Sequence, residues 1–456
     1  MEGQMSYNRP MLGMLFRRPG TLLSKHLTRF FGVDVQQLPI RARSFATIDL
    51  PNLQLAIEAV TREKGGQLNV IGYLKSMSMF SNGFRDLLSD SSYDAAVVGP
   101  VQYRQVETGV GEELSCVEDG IFLIDLPIGK VAALVRQDQM KGTLQLEVAS
   151  TGDELAQNFI VWIRDAIARL NVYRGKVLSL EASQEGGRCP THTVRFHQLP
   201  EVHRDQIVLP DAVLRVLERN TVGFFANAEK LLAAGRSAKR GLLLFGKPGT
   251  GKTFTARWLA QSTPGLTVLL MSGEQLWLIR ECCQIARMLA PSLVIMEDVD
   301  LVASARDESR HPMYQVSLHQ LLNEMDGIDA PAPILFLLTT NRPEAIEPAV
   351  ASRPGRIDQA IEYPLPDEAC RRQLIQMYGE GLEMEIRDMD SIIARTEGAS
   401  PAFIQEMLRK AALIAAEESP ESAIRVTDEH CHAALRELLF SDGELTRRLL
   451  GFSAES

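Results

Sequence analysis

Hydrophobic and polar positions fall into three regimes along the chain. Within residues 34–182, short apolar runs read as strands bounded by turn residues: Ala95-Ala96-Val97-Val98, Ile121-Phe122-Leu123-Ile124, Val131 to Val135 and Leu144 to Val148. One stretch there has a different period. Leu155, Phe159, Ile163, Ile167 and Leu170 recur at spacings of three and four and predict an amphipathic helix. This regime predicts a separate small N-terminal α/β domain. The polar, turn-rich string SQEGGRCP follows, and residues 183–205 read as a linker.

From 206 to 364 the runs GLLLF, TVLLM, LVIM and ILFLLTT alternate with helical stretches. That pattern predicts an α/β fold with a parallel sheet covered by helices on both faces. Residues 365–440 show only helical periodicity and predict a small C-terminal helical subdomain, with 441–456 as a polar tail. No internal repeat with a period of about 20 to 50 residues is present.

Composition narrows the class. The 456 residues are 45% hydrophobic and 23% charged, with 33 Gly and 22 Pro, which excludes collagen-like and disordered chains. A net charge of −10 disfavours a general binder of phosphate backbones, so no nucleic-acid partner is expected. The six cysteines, Cys116, Cys189, Cys282, Cys283, Cys370 and Cys431, show no C-x-x-C spacing and point to a reducing, cytoplasmic setting. His430-Cys431-His432 cannot converge on one ion from a helix and reads as three ordinary helical residues. No apolar run approaches the ~20 residues of a membrane span.

Residues 1–33 carry Arg9, Arg17, Arg18, Lys25 and Arg29 against the single acid Glu2, with Leu22, Leu23, Leu27, Phe30 and Phe31 at near-helical spacing. This segment reads as a helix docked on the first domain. The alternative is a transit peptide or a membrane-surface helix, which would place the protein in an organelle matrix or on a membrane.

The chemistry begins at Gly246-Lys247-Pro248-Gly249-Thr250-Gly251-Lys252-Thr253, which satisfies G-x-x-x-x-G-K-[ST]. It follows the apolar run Leu242 to Phe245 and opens a helical stretch at Phe254. Glycines let backbone N–H groups turn onto phosphate oxygens, Lys252 supplies charge, and Thr253 presents a hydroxyl to Mg²⁺, so ATP and Mg²⁺ are the expected cofactors. Some 40 residues on, LVIMEDVD ends an apolar strand in acids. Buried strand ends tolerate Glu297 and Asp298 most readily when a cation or hydrogen bonds satisfy them, with Glu297 as metal ligand and Asp298 toward the attacking water. A third strand, Ile334 to Thr340, ends at Asn341, whose neutral amide is suited to orienting water beside the γ-phosphate.

The strings RGLLLFGKPGTGKT, LAPSLVIMEDVDLV, HQLLNEMDGI, LLTTNRPEAIEPAV, SRPGRID and YPLPD occur in order. Together they resemble the core branch of the AAA ATPases, the group holding the proteasomal ATPases and the membrane-bound AAA proteases. The resemblance covers about 205 to 440. It implies a P-loop module with a helical lid, assembled as a homo-oligomeric ring, usually a hexamer, that uses hydrolysis to move a substrate. It places Asn341 on the sensor of the γ-phosphate, and Arg353 and Arg356 on the positions that reach the neighbouring subunit's site. A guanidinium supplied in trans would stabilise charge on the transferring phosphoryl.

Three departures stand out. Glu297-Asp298 inverts the usual Asp-Glu order, as in the branch that includes the mitochondrial complex III assembly ATPase, so hydrolysis is still expected. The stretch Ser272 to Ala290 lacks the aromatic-hydrophobic-Gly pore loop of the polypeptide-threading relatives, leaving Trp277 as its one aromatic. In TEGASPAFIQEML, Gly398, Ser400 and Ala402 match the adenine-side segment of the lid, whereas Pro401 and Phe403 do not. The reading is an ATP-hydrolysing ring machine that remodels a protein client held by residues 34–182. The alternative is a nucleotide-dependent oligomeric switch or scaffold with slow or no hydrolysis. No H-E-x-x-H motif marks a fused protease.

Overall fold

The computed structural model describes residues 21–75, 83–89, 95–138, 142–183, 191–272, 275, 278–300, 323, 325, 332–344, 346, 356–418 and 423–440. The chain divides into two compact units, 1–172 with 182–193, and 173–181 with 194–456.

The first unit is built on an antiparallel sheet of β1 (Ile40–Ala46), β2 (Gln67–Leu74), β3 (Val97–Gly99), β4 (Gln102–Gly109), β5 (Glu112–Leu126), β6 (Gly129–Asp138) and β7 (Thr143–Ser150). Their order is β1-β7-β6-β5-β2-β3, with β4 on the first half of the long β5. Its helices are α1 (Leu23–Phe31), α2 (Leu50–Glu63), the single turn α3 (Phe84–Leu87) and α4 (Asp153–Leu170). Phe122, Ile124, Val131, Ala133 and Val135 pack with Leu53 and Ile57 of α2 and Phe159 and Ile163 of α4. The residues between them, Ile121, Leu123, Ala132 and Leu134, pack instead with Leu23, Leu27 and Phe31 of α1 and Phe84 and Leu87 of α3. Strand residues alternate between faces, and here both faces are covered, which is why β5 and β6 read as unbroken apolar runs although the sheet is antiparallel. Of the stripe expected on α4, Phe159, Ile163 and Ile167 are buried, Leu155 is partly buried and Leu170, its last residue, is exposed. Over 23–31 the N-terminal segment is a helix packed on this sheet, and it stops at Gly32, whose φ of 77° gives the left-handed C-terminal turn.

The second unit holds a sheet ordered β14-β10-β13-β12-β11-β8-β9, from β8 (Val177–Ser183), β9 (Thr191–Phe196), β10 (Lys239–Phe245), β11 (Thr267–Met271), β12 (Ser292–Met296), β13 (Ile334–Thr340) and β14 (Gln359–Glu362). The pairs β14–β10–β13–β12–β11–β8 are all parallel. Helices α5 (Asp211–Asn220), α6 (Val222–Ala233) and α7 (Lys252–Gln261) share a core with Leu242, Leu244, Val268, Ile295, Leu335 and Leu337. The intervening Leu243, Leu269, Val294 and Phe336 are buried on the opposite face, and α8 (Ile279–Met288) packs against β11 and β12. The parallel sheet inferred from the apolar runs is thus present.

The boundaries assigned from the sequence, 182 for the first domain and 183–205 for a linker, need correction. β8 joins the parallel sheet through β11, and Thr191–Phe196 is a strand inside the assigned linker. THTVRF carries no apolar run because only alternate residues, among them Val194 and Phe196, are even partly covered, as befits a sheet edge.

Residues 365–440 fold on their own small core of Leu374, Ile375, Phe403, Ile404, Met407, Leu408, Cys431 and Leu435. The helices are Glu368–Tyr378, Met389–Arg395, Pro401–Glu418 and Asp428–Phe440. Asp367 and Asp388 cap the first two by accepting from Cys370 N–H and Ser391 N–H. A two-stranded sheet, β15 (Glu383–Glu385) with β16 (Arg425–Thr427), also lies here, where the pattern predicted helices alone; strands of three residues are too short to show a period. The His430-Cys431-His432 triplet does diverge: Cys431 is in the core, His430 meets Thr427 and Glu418, and His432 meets Arg395. Among the described residues no group of three His, Cys, Asp or Glu could hold a metal ion. Nor is any described helix long and apolar enough to cross a membrane.

Candidate functional site

A cleft of about 620 Å³ opens at the carboxyl ends of the parallel strands, where such sheets bind ligands. Its floor is the loop between β10 and α7. Gly246 has φ 151°, and a Cβ there would lie 2.4 Å from the carbonyl oxygen of Tyr363, so no other residue fits against β14's exit. Gly251 has φ 97° and hands the chain into α7. The first N–H groups of α7 have no intrahelical acceptor and open on the cleft, where the helix end favours an anion. Thr253 and Phe254 line it from that first turn and are exposed.

Lys252 is 6% exposed, and its Nζ donates to the carbonyl oxygens of Gly246 at 2.8 Å and Lys247 at 2.9 Å. The ammonium thus lies along the loop, beneath the space a phosphate would take. Burial lowers its pKa to about 8, and the charges of Asp298 and Asp300 oppose that fall. Thr250 Oγ1 donates to Lys247 O at 2.9 Å and closes the loop on itself.

Asp298 and Asn341, at the ends of neighbouring strands, both line the cleft. Asn341 Nδ2 donates to Asp298 Oδ1 at 3.1 Å. Asp298 has φ 49°, a left-handed backbone that Asp adopts more readily than most residues. That conformation gives a local reason for Asp, rather than Glu, at the second position of the acid pair. Glu297, the expected metal ligand, does not line this cleft; it lines an adjoining cavity with Ser179, His197 and Gln275, and Arg257 borders both. The acid that the fold sets beside the phosphate loop is Asp298.

Ile207, Val208, Leu209, Leu374, Met377 and Tyr378 form an apolar wall, and Pro401, Ala402 and Gln405 close it from the lid helix. Ala402 N–H donates to Gly249 O at 3.2 Å, which ties that helix to the phosphate loop. Ser400 caps it by accepting from Phe403 N–H at 3.1 Å. The segment whose match was incomplete therefore does border the cleft. Sequence reasoning missed the wall from 206 to 209, whose residues carry no motif, and missed Tyr363, whose N–H donates to Phe245 O at 2.7 Å.

Arg356 does not line its own chain's cleft; it is half-buried, and its Nη1 donates to Asn323 Oδ1 at 3.4 Å. The next residues are fixed by Asp358, which accepts from Gly241 N–H at 2.7 Å. Arg353 and Trp277 lie outside the described residues, as do 1–20 and 441–456.

A glycine loop under a helix N-terminus, a buried lysine and an acid–amide pair across two strand ends define a nucleotide-binding P-loop module. Residues 242–365 match the family described as ATPase family associated with various cellular activities (AAA). The chain carries an AAA domain. It is 34% identical over 225 residues to 26S proteasome regulatory subunit 8 of Caenorhabditis elegans, covering 46% of this chain and 53% of that protein. To the ATPase family gene 2 protein of Schizosaccharomyces pombe it is 32% identical over 265 residues, 56% of this chain and 32% of the other. The chain therefore spans about half, or less, of the length of these relatives. Among solved structures it is similar to the AAA domain of FIGL-1, with a TM-score of 0.45 and 24% identity over 53% of this chain and 85% of that one.

Proposed function

We propose that this protein is an ATP-hydrolysing AAA ATPase that assembles as a homo-oligomeric ring, hexameric by analogy, and remodels a protein client held by its N-terminal unit. The observation that carries the reading is the convergence of Lys252, Thr253, Asp298 and Asn341 on one cleft with an apolar wall. Such a cleft suits a triphosphate at the loop and a base against Ile207, Val208 and Met377. Thr253 offers Mg²⁺ a hard oxygen donor. Bound there, Mg²⁺ would neutralise charge on the β- and γ-phosphates.

In this reading Lys252 swings from the loop carbonyls to the phosphates, and Asn341 holds Asp298 while orienting the attacking water. Asp298 takes the proton of that water. Arg353 and Arg356 complete the site of the neighbouring subunit, a role supported by the position of Arg356 outside its own cleft. Phosphate release measured across protein concentrations tests this. Turnover per subunit should rise with concentration and vanish in Lys252→Ala; phosphate release no greater than that variant's would refute it. The short side chain of Asp298 at the position toward the water favours a second reading, a nucleotide-dependent switch with slow hydrolysis. A turnover that stays slow when the ring is assembled and saturated with ATP and Mg²⁺ would select it.

A further inference from the structure

Asp300 has no part in the reading above, yet it sits where the ends of β12 and β13 are tied together. It is 5% exposed, and its Oδ1 accepts from Thr340 Oγ1 at 2.7 Å and from Asn341 N–H at 3.3 Å. Thr340 Oγ1 accepts in turn from Arg342 N–H at 2.9 Å. On the other side, Asp298 N–H donates to Thr339 Oγ1 at 3.2 Å and Val299 N–H to Thr339 O at 3.0 Å. These bonds and the Asn341–Asp298 contact close a loop of interactions around a residue at φ 49°. A left-handed non-glycine residue persists where its surroundings over-determine it.

We propose that Asp300 is a positioning residue for hydrolysis: through Thr340 it fixes the turn that carries Asn341, and through Asn341 it fixes the carboxylate of Asp298. The proposal rests on the ATPase reading. It predicts that loosening the Asp300–Thr340 bond slows the chemical step and spares nucleotide binding, because the phosphate loop is held by its own bonds. Asp300 also helps to keep Lys252 charged, so replacing the acid disturbs binding as well. Thr340→Val is therefore the cleaner perturbation; it removes the hydroxyl and keeps charge and volume.

Expected for Thr340→Val are a Kd for ATP and a KM within about threefold of wild type, with kcat lowered about tenfold or more, the loss of one charge-assisted hydrogen bond. Thr340→Ser, which restores the hydroxyl, should recover kcat to within about twofold on the same grounds. A crystal structure of the Val variant should show the Asn341–Asp298 contact broken. Wild-type kcat in Thr340→Val, equal losses in the Ser and Val variants, or a retained Asn341–Asp298 contact would each overturn the proposal. Asp300→Asn keeps an acceptor oxygen and replaces Thr340→Val should the latter not fold; wild-type kcat in it overturns the proposal too. Absence of wild-type phosphate release would remove the ATPase reading alone, and the crystal structure would still decide the positioning.

Discussion

The burial of Lys252 couples nucleotide binding to pH. Its pKa is lowered to about 8 because burial disfavours the ammonium more than Asp298 and Asp300 support it. Phosphates entering the cleft add negative charge and raise it again. Binding therefore takes up a proton where the free protein is deprotonated, and affinity is full below about pH 8 and lost above it. At about pH 9.5 only ~3% of free Lys252 is charged, against ~90% at about pH 7. Kd for ADP should rise about 30-fold over that interval, equivalent to ~2 kcal/mol. Titration with a fluorescent ADP analogue at fixed ionic strength measures it, and calorimetry in buffers of different ionisation enthalpy counts the proton. Lys252→Met should bind more weakly at pH 7 and change little up to pH 9.5. Parallel pH curves for wild type and Lys252→Met would show that the lysine is not the titrating group and sink the argument.

Further outcomes follow from the same geometry. Asp298→Asn should retain ATP with near-normal affinity and lose at least about a hundredfold in kcat, as expected where a proton acceptor is removed; pull-down with this variant should also retain the client. Glu297→Gln should cost less, because Asp298, not Glu297, lines the cleft beside Asn341, and single-turnover assays of the two variants would order them. Gly246→Ala places a Cβ 2.4 Å from Tyr363 O and should abolish ADP binding by equilibrium dialysis. Phe403→Ala in the lid core should lower stability by about 3–5 kcal/mol in urea unfolding, since the ring is fully buried.

The sequence by itself determined the module: a glycine loop after GLLLF, acids after LVIM and an amide after ILFLLTT each report local backbone need, and the parallel sheet brings all three to one edge. It determined the α4 helix as well, because an eighteen-residue amphipathic period is hard to mimic. Only the tertiary structure decided which acid faces the phosphate loop. Adjacent residues at a strand end diverge, and the left-handed turn at Asp298 sends it to Asn341 while Glu297 goes to another cavity. Nor could the pattern show that THTVRF is an edge strand, that 206–209 wall the cleft, or that Asp300 holds the Asn341 turn. Those are facts of long-range contact: the partners lie far apart along the chain, or carry side chains whose type says nothing until the fold sets them side by side.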